Sequence, residues 1–211
     1  IRRGSKGLKP DFLTPSNFTI MSTKVIFNIS MSLDGYITSP DDDSSQLHSW
    51  YFGGDTPLPG PPFKVSQASA ELIGKAMASV GTMVTGRRTF DVSQAWGGHP
   101  PLGVHHFVVT HQPVAEWTKA DSPFTFITTG VEDAISQARA SAGSKAVCIS
   151  SASILQQALK AGLVDEIHID LVHVQLGNGK PLFANISQPK LECFRSVNGT
   201  GVTHLAFNVI R

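Results

Sequence analysis

Within the 211 residues, the side chains best suited to chemistry gather where β-type runs give way to helical ones. The first such point is Thr85-Gly86-Arg87-Arg88-Thr89-Phe90. Gly86 permits a tight turn, and the helix starting there exposes backbone amides and a positive dipole end. Two guanidinium forks, Arg87 and Arg88, suit phosphate. A solvated helix start with two surface arginines has the same spelling, and spacing alone does not separate the readings. A second strand end, Val109-Thr110-His111, offers hydroxyl and imidazole donors, and a third, Ile149-Ser150-Ser151-Ala152-Ser153, again runs into a helix. Three such corners at the C-terminal ends of parallel strands form one crevice in an open α/β sheet, with a phosphate-bearing ligand as its natural occupant.

Other chemistries lack their signatures. No G-x-G-x-x-G, H-E-x-x-H or G-x-S-x-G occurs. The stretch from Gly81 to Thr89 resembles a phosphate-binding loop only loosely, because its central residues are strand-like and Arg87 stands where lysine is required. His105 and His106 are adjacent in a strand and point to opposite faces, so they cannot share a metal. Asp41-Asp42-Asp43 reads as a solvated turn. No metal is expected.

The elements that must position these corners follow from hydrophobic patterning. Strands are expected at Lys24–Ser30, Thr82–Thr85, His105–Thr110, Phe124–Thr128, Ala146–Ser150, Glu166–Gln175, Lys190–Val197 and Val202–Val209. Helices are expected at Ala68–Ser79, Arg87–Gln94, Glu132–Ala142 and Ser153–Ala161. Strand–helix alternation followed by a terminal hairpin, turning at Asn198-Gly199, predicts an α/β three-layer sandwich. Its sheet is mixed and mostly parallel, with eight strands, four helices and an antiparallel edge. The Pro/Gly-rich stretch Ser39–Lys64 reads as a long functional loop. Trp50, Tyr51 and Phe52 on it either stack on a flat ring or pin the loop to the core.

Residues 1–20 are polar and Pro/Gly-punctuated, and are expected to be an upstream extension, leaving a single domain at 21–211. The composition is that of a globular chain, 41% hydrophobic and 16% charged. From Met21 onward 13 basic residues face 15 acidic ones, which gives no general footprint for nucleic acid or an anionic membrane. Cys148 and Cys193, each on a strand expected to be buried, exclude a disulfide framework and fit a reducing, cytoplasmic setting.

Four segments then occur in order: Phe27-Asn28-Ile29-Ser30-Met31-Ser32-Leu33-Asp34-Gly35-Tyr36-Ile37, the Thr85–Phe90 turn, Leu155–Ile167, and Leu176-Gly177-Asn178-Gly179-Lys180-Pro181-Leu182-Phe183. Together they resemble the dihydrofolate-reductase-like superfamily, and within it the stand-alone relatives of the reductase domain of riboflavin-pathway deaminase–reductases. The resemblance spans nearly all of 22–211 and implies an NADPH-dependent reductase, usually a homodimer, acting on a pteridine-like or aminopyrimidine substrate. It places Gly86, Arg87, Arg88 and Thr89 at the 2′-phosphate and pyrophosphate of NADPH, and Thr110 and His111 at the adenosine ribose phosphate. Ser150, Ser151 and Ala152 fall beside the pyrophosphate, and Asp34-Gly35 on the nicotinamide side. Asp34 is the catalytic candidate, ordering a water or holding polar groups of the substrate, with an ordinary Asp-Gly turn as the alternative. Trp50, Gly177, Gly179 and Phe183 are the substrate-side candidates.

One departure stands out. The family usually has Gly-Gly where this chain has Ser150-Ser151. Serine there is expected to strain the backbone and weaken NADPH binding, so that restoring glycine would tighten it. A nucleotide-binding protein with little hydride transfer is therefore the competing expectation.

Overall fold

A computed structural model describes residues 23–59, 62–184, 186 and 188–211; the expected extension at 1–20 lies outside the described residues. The strands are β1 (Val25–Ser32), β2 (Thr56–Pro57), β3 (Lys64–Val65), β4 (Val80–Gly86), β5 (His105–Val109), β6 (Phe124–Ile127), β7 (Ala146–Ile149), β8 (Glu166–Val172), β9 (Lys190–Gly199) and β10 (Val202–Ile210). The α-helices are α1 (Gln67–Ser79), α2 (Arg87–Val92), α3 (Val131–Ala142) and α4 (Ala152–Lys160). Eight strands form one sheet in the order β6-β5-β4-β7-β1-β8-β10-β9. All neighbours from β6 to β8 are parallel, and β10 and β9 close the edge antiparallel, so the predicted three-layer α/β sandwich is the observed one.

Strand composition explains the layering. β7 is buried at every position and β4 at nearly every one, the mark of central parallel strands covered on both faces. Phe27, Ile149 and Ile167 pack beneath α3 and α4 through Ile135, Ala138 and Leu155. The alternate residues of β1, Asn28 and Ser30, face the opposite layer, where α1 and the loop around Trp50 lie. Ser66 caps α1 by accepting from the Ser69 amide at 3.3 Å.

Several local expectations change. The hairpin turns at Thr200-Gly201, with Gly201 at φ 73°, and β9 runs on through Asn198 and Gly199. A side chain at Gly199 would clash with the Ser69 hydroxyl, so α1 packs against bare backbone at this point of β9. Cys193 is exposed, because β9 is the edge strand and residues 192–194 face solvent. α2 stops at Val92; the chain then makes a 3₁₀ turn in which Gln94, Ala95, Trp96 and Gly97 all adopt left-handed backbone (φ 49°, 51°, 50° and 60°). The long loop is partly structured: Ser45–Phe52 is 3₁₀, and β2 pairs with β3. His106 is fully buried against Trp96, whereas His105 is half-buried on the Thr125 hydroxyl.

Candidate active site

The order of β5, β4 and β7 brings the three corners side by side, because each strand ends at the same edge of the sheet. Two hollows flank the β4–α2 turn. The outer one, about 500 Å³, is lined by Gly86, Arg87, Thr110, His111 and Gln157. The inner one, about 480 Å³, is lined by Thr89, Trp96, Ser150, Ser151, Ala152 and Lys180 among others. Arg88 and Ser153 belong to both, so the hollows form one crevice across the strand ends.

The arginines are aimed apart. Arg87 donates from Nε to both Asp91 oxygens (2.8 and 2.9 Å) and from one terminal nitrogen to the Gln112 carbonyl (2.9 Å), which holds it over the outer hollow. Arg88 turns inward and pairs through Nε with Asp42 Oδ2 at 2.8 Å; Lys180 pairs with the other Asp42 oxygen. These two cations, Arg88 foremost, hold the Asp42 carboxyl below the usual carboxylate range. Asp42 itself sits at φ 67°. Thr110 is tied to Gln112 in a short side-chain turn, its hydroxyl donating to Gln112 O at 2.9 Å.

Ser151 is the joint of the crevice. It is 4% exposed, and its Oγ accepts from the Gly86 amide at 2.9 Å while sharing hydrogen bonds with Thr85 Oγ1 (3.0 Å) and Thr89 Oγ1 (2.7 Å). The hydroxyl thus welds the end of β4 and the start of α2 to the start of α4. Ser150 differs. Its Oγ is buried on the inner hollow without a hydrogen-bond partner among the described residues. Neither serine is left-handed; Ser151 sits at φ −132°, ψ 132°. The left-handed strain expected at Ser150-Ser151 is therefore absent.

Asp34 is placed elsewhere. Its Oδ1 accepts from the Ser32 hydroxyl (2.6 Å) and the Leu176 amide (3.2 Å), and its Oδ2 from the Gly177 amide (2.7 Å). Those donors, the Ser32 hydroxyl first, keep the carboxyl below its ordinary range, and the side chain lines neither hollow. Its work is to staple the turn after β1 to the loop after β8. Gly35 makes that turn at φ 87°. Gly177 and Gly179 belong to the same staple: Gly179 passes the Thr38 carbonyl too closely to admit a side chain. Phe183 stands 40% exposed and, like both glycines, lines neither hollow. Trp50, 3% exposed, donates to Ser30 Oγ at 3.3 Å and stacks on Tyr51. It pins the loop to the sheet.

Sequence reasoning missed Asp42, Lys180, Asn28 and Asp170, all on the inner hollow, where Tyr51, one of the three loop aromatics, also lies. For Asp170 a signal existed. In Glu166-Ile167-His168-Ile169-Asp170-Leu171 the apolar phase marks the core face, and the polar phase sets Glu166, His168 and Asp170 together on the other face.

Known proteins share this fold. The family model described as the RibD C-terminal domain matches residues 23–205. No curated protein matches the chain. Among solved structures, a Shewanella sp. PV-4 protein assigned to riboflavin biosynthesis is 24% identical with a TM-score of 0.70, over 90% of this chain and 100% of that one. The Thermotoga maritima diaminohydroxyphosphoribosylaminopyrimidine deaminase/5-amino-6-(5-phosphoribosylamino)uracil reductase is 10% identical with a TM-score of 0.61. That match covers 90% of this chain and 57% of the larger one, so the chain spans little more than half of that protein. Dihydrofolate reductase from Enterococcus faecalis, solved with NADP(H), is 14% identical with a TM-score of 0.54, over 90% of this chain and 98% of the other. At these identities the likeness is one of fold.

Proposed function

The chain belongs to the RibD C-terminal domain family, and from that premise we propose that it is an NADPH-dependent reductase of a flat nitrogen heterocycle, pteridine-like or aminopyrimidine. The observation that carries the reading is the pair of hollows joined at Arg88 and Ser153, one lined for phosphate and one for a ring. Membership of the family and the fold shared with reductases support it.

Arg87, His111 and Thr110 would receive the adenosine phosphates, and Gly86 with Thr89 the pyrophosphate. The lone Ser150 hydroxyl fits this group: a buried donor without a partner at the inner hollow is satisfied by an incoming polar atom. NADPH, when bound, supplies the hydride. The chain's own part is orientation and dryness. Trp96 and Tyr51 wall the inner hollow, and burial, then the Asp170 charge, push the Tyr51 phenol up, so it stays a hydrogen-bond donor. Asp34 is proposed as the residue that sets the loop over the cleft, acting through Leu176 and Gly177 and not on the substrate itself. A cytoplasmic homodimer completes the proposal; among the described residues no helix is long and apolar enough to cross a membrane.

Titration with NADPH, followed by tryptophan quenching and by turnover of dihydropteridine or aminopyrimidine substrates, tests it. Saturable binding with oxidation of the cofactor is expected. Binding without turnover returns the protein to a nucleotide-binding role, and no binding ends the proposal.

A further inference from the structure

A third hollow, about 320 Å³, lies between α1 and the sheet, and it shares Asn28, Tyr51 and Asp170 with the inner hollow of the crevice. Asn28 on β1 and Asp170 on β8 stand inside the sheet, where strands covered on both faces are normally apolar. Here they are not. The register sets Ser30, Asp170 and His204 abreast on β1, β8 and β10, with Asn28 and His168 abreast in the next row. Asn28 is exposed although both neighbouring strands pair with β1, so this part of the sheet is the floor of an open space.

The carboxylate on that floor is held in place. Asp170, its side chain 14% exposed, accepts at Oδ1 from His204 Nδ1 at 2.6 Å. His204 is 3% exposed, and its Nε2 bonds the Ser69 hydroxyl at 2.9 Å. Ser69 in turn meets the α1 cap, Ser66, at 2.9 Å, and Trp50 packs edge-on against the imidazole at 5.2 Å. The chain of contacts fixes the plane of the carboxylate. Oδ2 has one weak contact, Asn28 Nδ2 at 3.4 Å, and so keeps acceptor capacity toward both hollows.

We propose that Asp170, oriented by His204 and flanked by Asn28, recognises the substrate ring by accepting hydrogen bonds from an amino group and the adjacent ring N–H, the edge of a 2-amino-4-oxopyrimidine or 2-amino-4-oxopteridine. This deepens, and rests on, the reductase reading above. A carboxylate suits that edge because amidine-like N–H pairs donate in parallel, here to Oδ2 and to the lone pair of Oδ1 that His204 leaves open. A 2,4-dioxo edge presents carbonyl oxygens on both sides of its N–H, and a carboxylate facing them repels them. The substrate class is therefore the ring that still carries its 2-amino group, not its deaminated counterpart.

The test compares 2-amino-4-oxopteridine with 2,4-dioxopteridine, which differ at that one position, by calorimetry on the wild-type chain with NADPH affinity measured in parallel. A charge-assisted pair of this kind corresponds to about a tenfold or larger preference for the 2-amino ring. Asp170→Asn, which keeps the shape and offers a donor in place of an acceptor, is expected to abolish or invert the preference. His204→Gln is expected to reduce it while the chain still melts cooperatively. The wild-type ratio needs no variant to fold. Equal or reversed wild-type affinities, failure of both rings to bind, or a ratio unchanged in Asp170→Asn would overturn the assignment. If the ring preference holds but NADPH does not bind, the reductase reading fails while the role of Asp170 stands.

Discussion

Two adjacent serines with the same side chain should respond oppositely to the same substitution. In Ser151→Ala the Gly86 amide, buried with its residue, loses its acceptor, and the Thr85 and Thr89 hydroxyls lose a shared partner. An orphaned buried donor costs about 1–3 kcal/mol, with smaller contributions from hydroxyls that can rotate to one another. The expected destabilisation is about 2–3 kcal/mol, which for a domain of this size lowers the melting midpoint by roughly 4–12 °C. Ser150→Ala removes a hydroxyl that no described residue satisfies, so stability should stay within about 0.5 kcal/mol. Its effect should fall on the cofactor, with NADPH binding about tenfold weaker. The double change to glycine has no left-handed backbone to relieve and should weaken both stability and binding. Thermal denaturation and NADPH calorimetry on the single and double variants decide the matter. Equal destabilisation by the two alanines, or tighter NADPH binding by the glycine pair, would refute this account of the corner.

Arg87→Ala is expected to weaken NADPH by about ten- to hundredfold and NADH much less, since the lost partner is the 2′-phosphate; equal losses, read by calorimetry, would reassign that contact. Burial pushes the His106 imidazole down to about 4 from an ordinary 6.5, so the unfolded chain binds a proton that the folded one refuses. Stability is therefore fully present above about pH 6.5 and drains away toward pH 4, by on the order of 2–3 kcal/mol. His106→Phe should flatten that slope in urea titrations at pH 7.5 and 5. The exposed Phe194 and Ile210 on the terminal hairpin favour a second copy as cover, and light scattering should give twice 22.6 kDa; a species of 22.6 kDa excludes the dimer.

What could be read from the chain was what is local. A buried apolar run and the polar side chains that follow it lie within a few residues of one another, so all three strand ends were visible at Gly86, Thr110 and Ser150. The Asp34-Gly35 turn was visible too. What the Asp34 carboxylate grips was not, because Leu176 and Gly177 come more than 140 residues later. The strong Asn-Gly turn signal at 198–199 yields to packing, since α1 needs a residue without a side chain there and the strand must continue beneath it. Asp170 and His204 are 34 residues apart and meet only through the antiparallel register of β8 and β10. A one-residue shift of either strand would put the two on opposite faces of the sheet.

The place of β1 in the sheet also sets a schedule for synthesis. Its neighbours are β7 and β8, and Val25 waits for Val147, 122 residues further on. At roughly 5–20 residues per second a ribosome takes on the order of ten seconds to cover that distance. Throughout it Val25, Phe27 and Ile29 belong to a strand with two unsatisfied edges and no lid. A nascent chain stalled before β7 can pair β4, β5 and β6, yet β1 stays open, so the burden on chaperones falls on that strand.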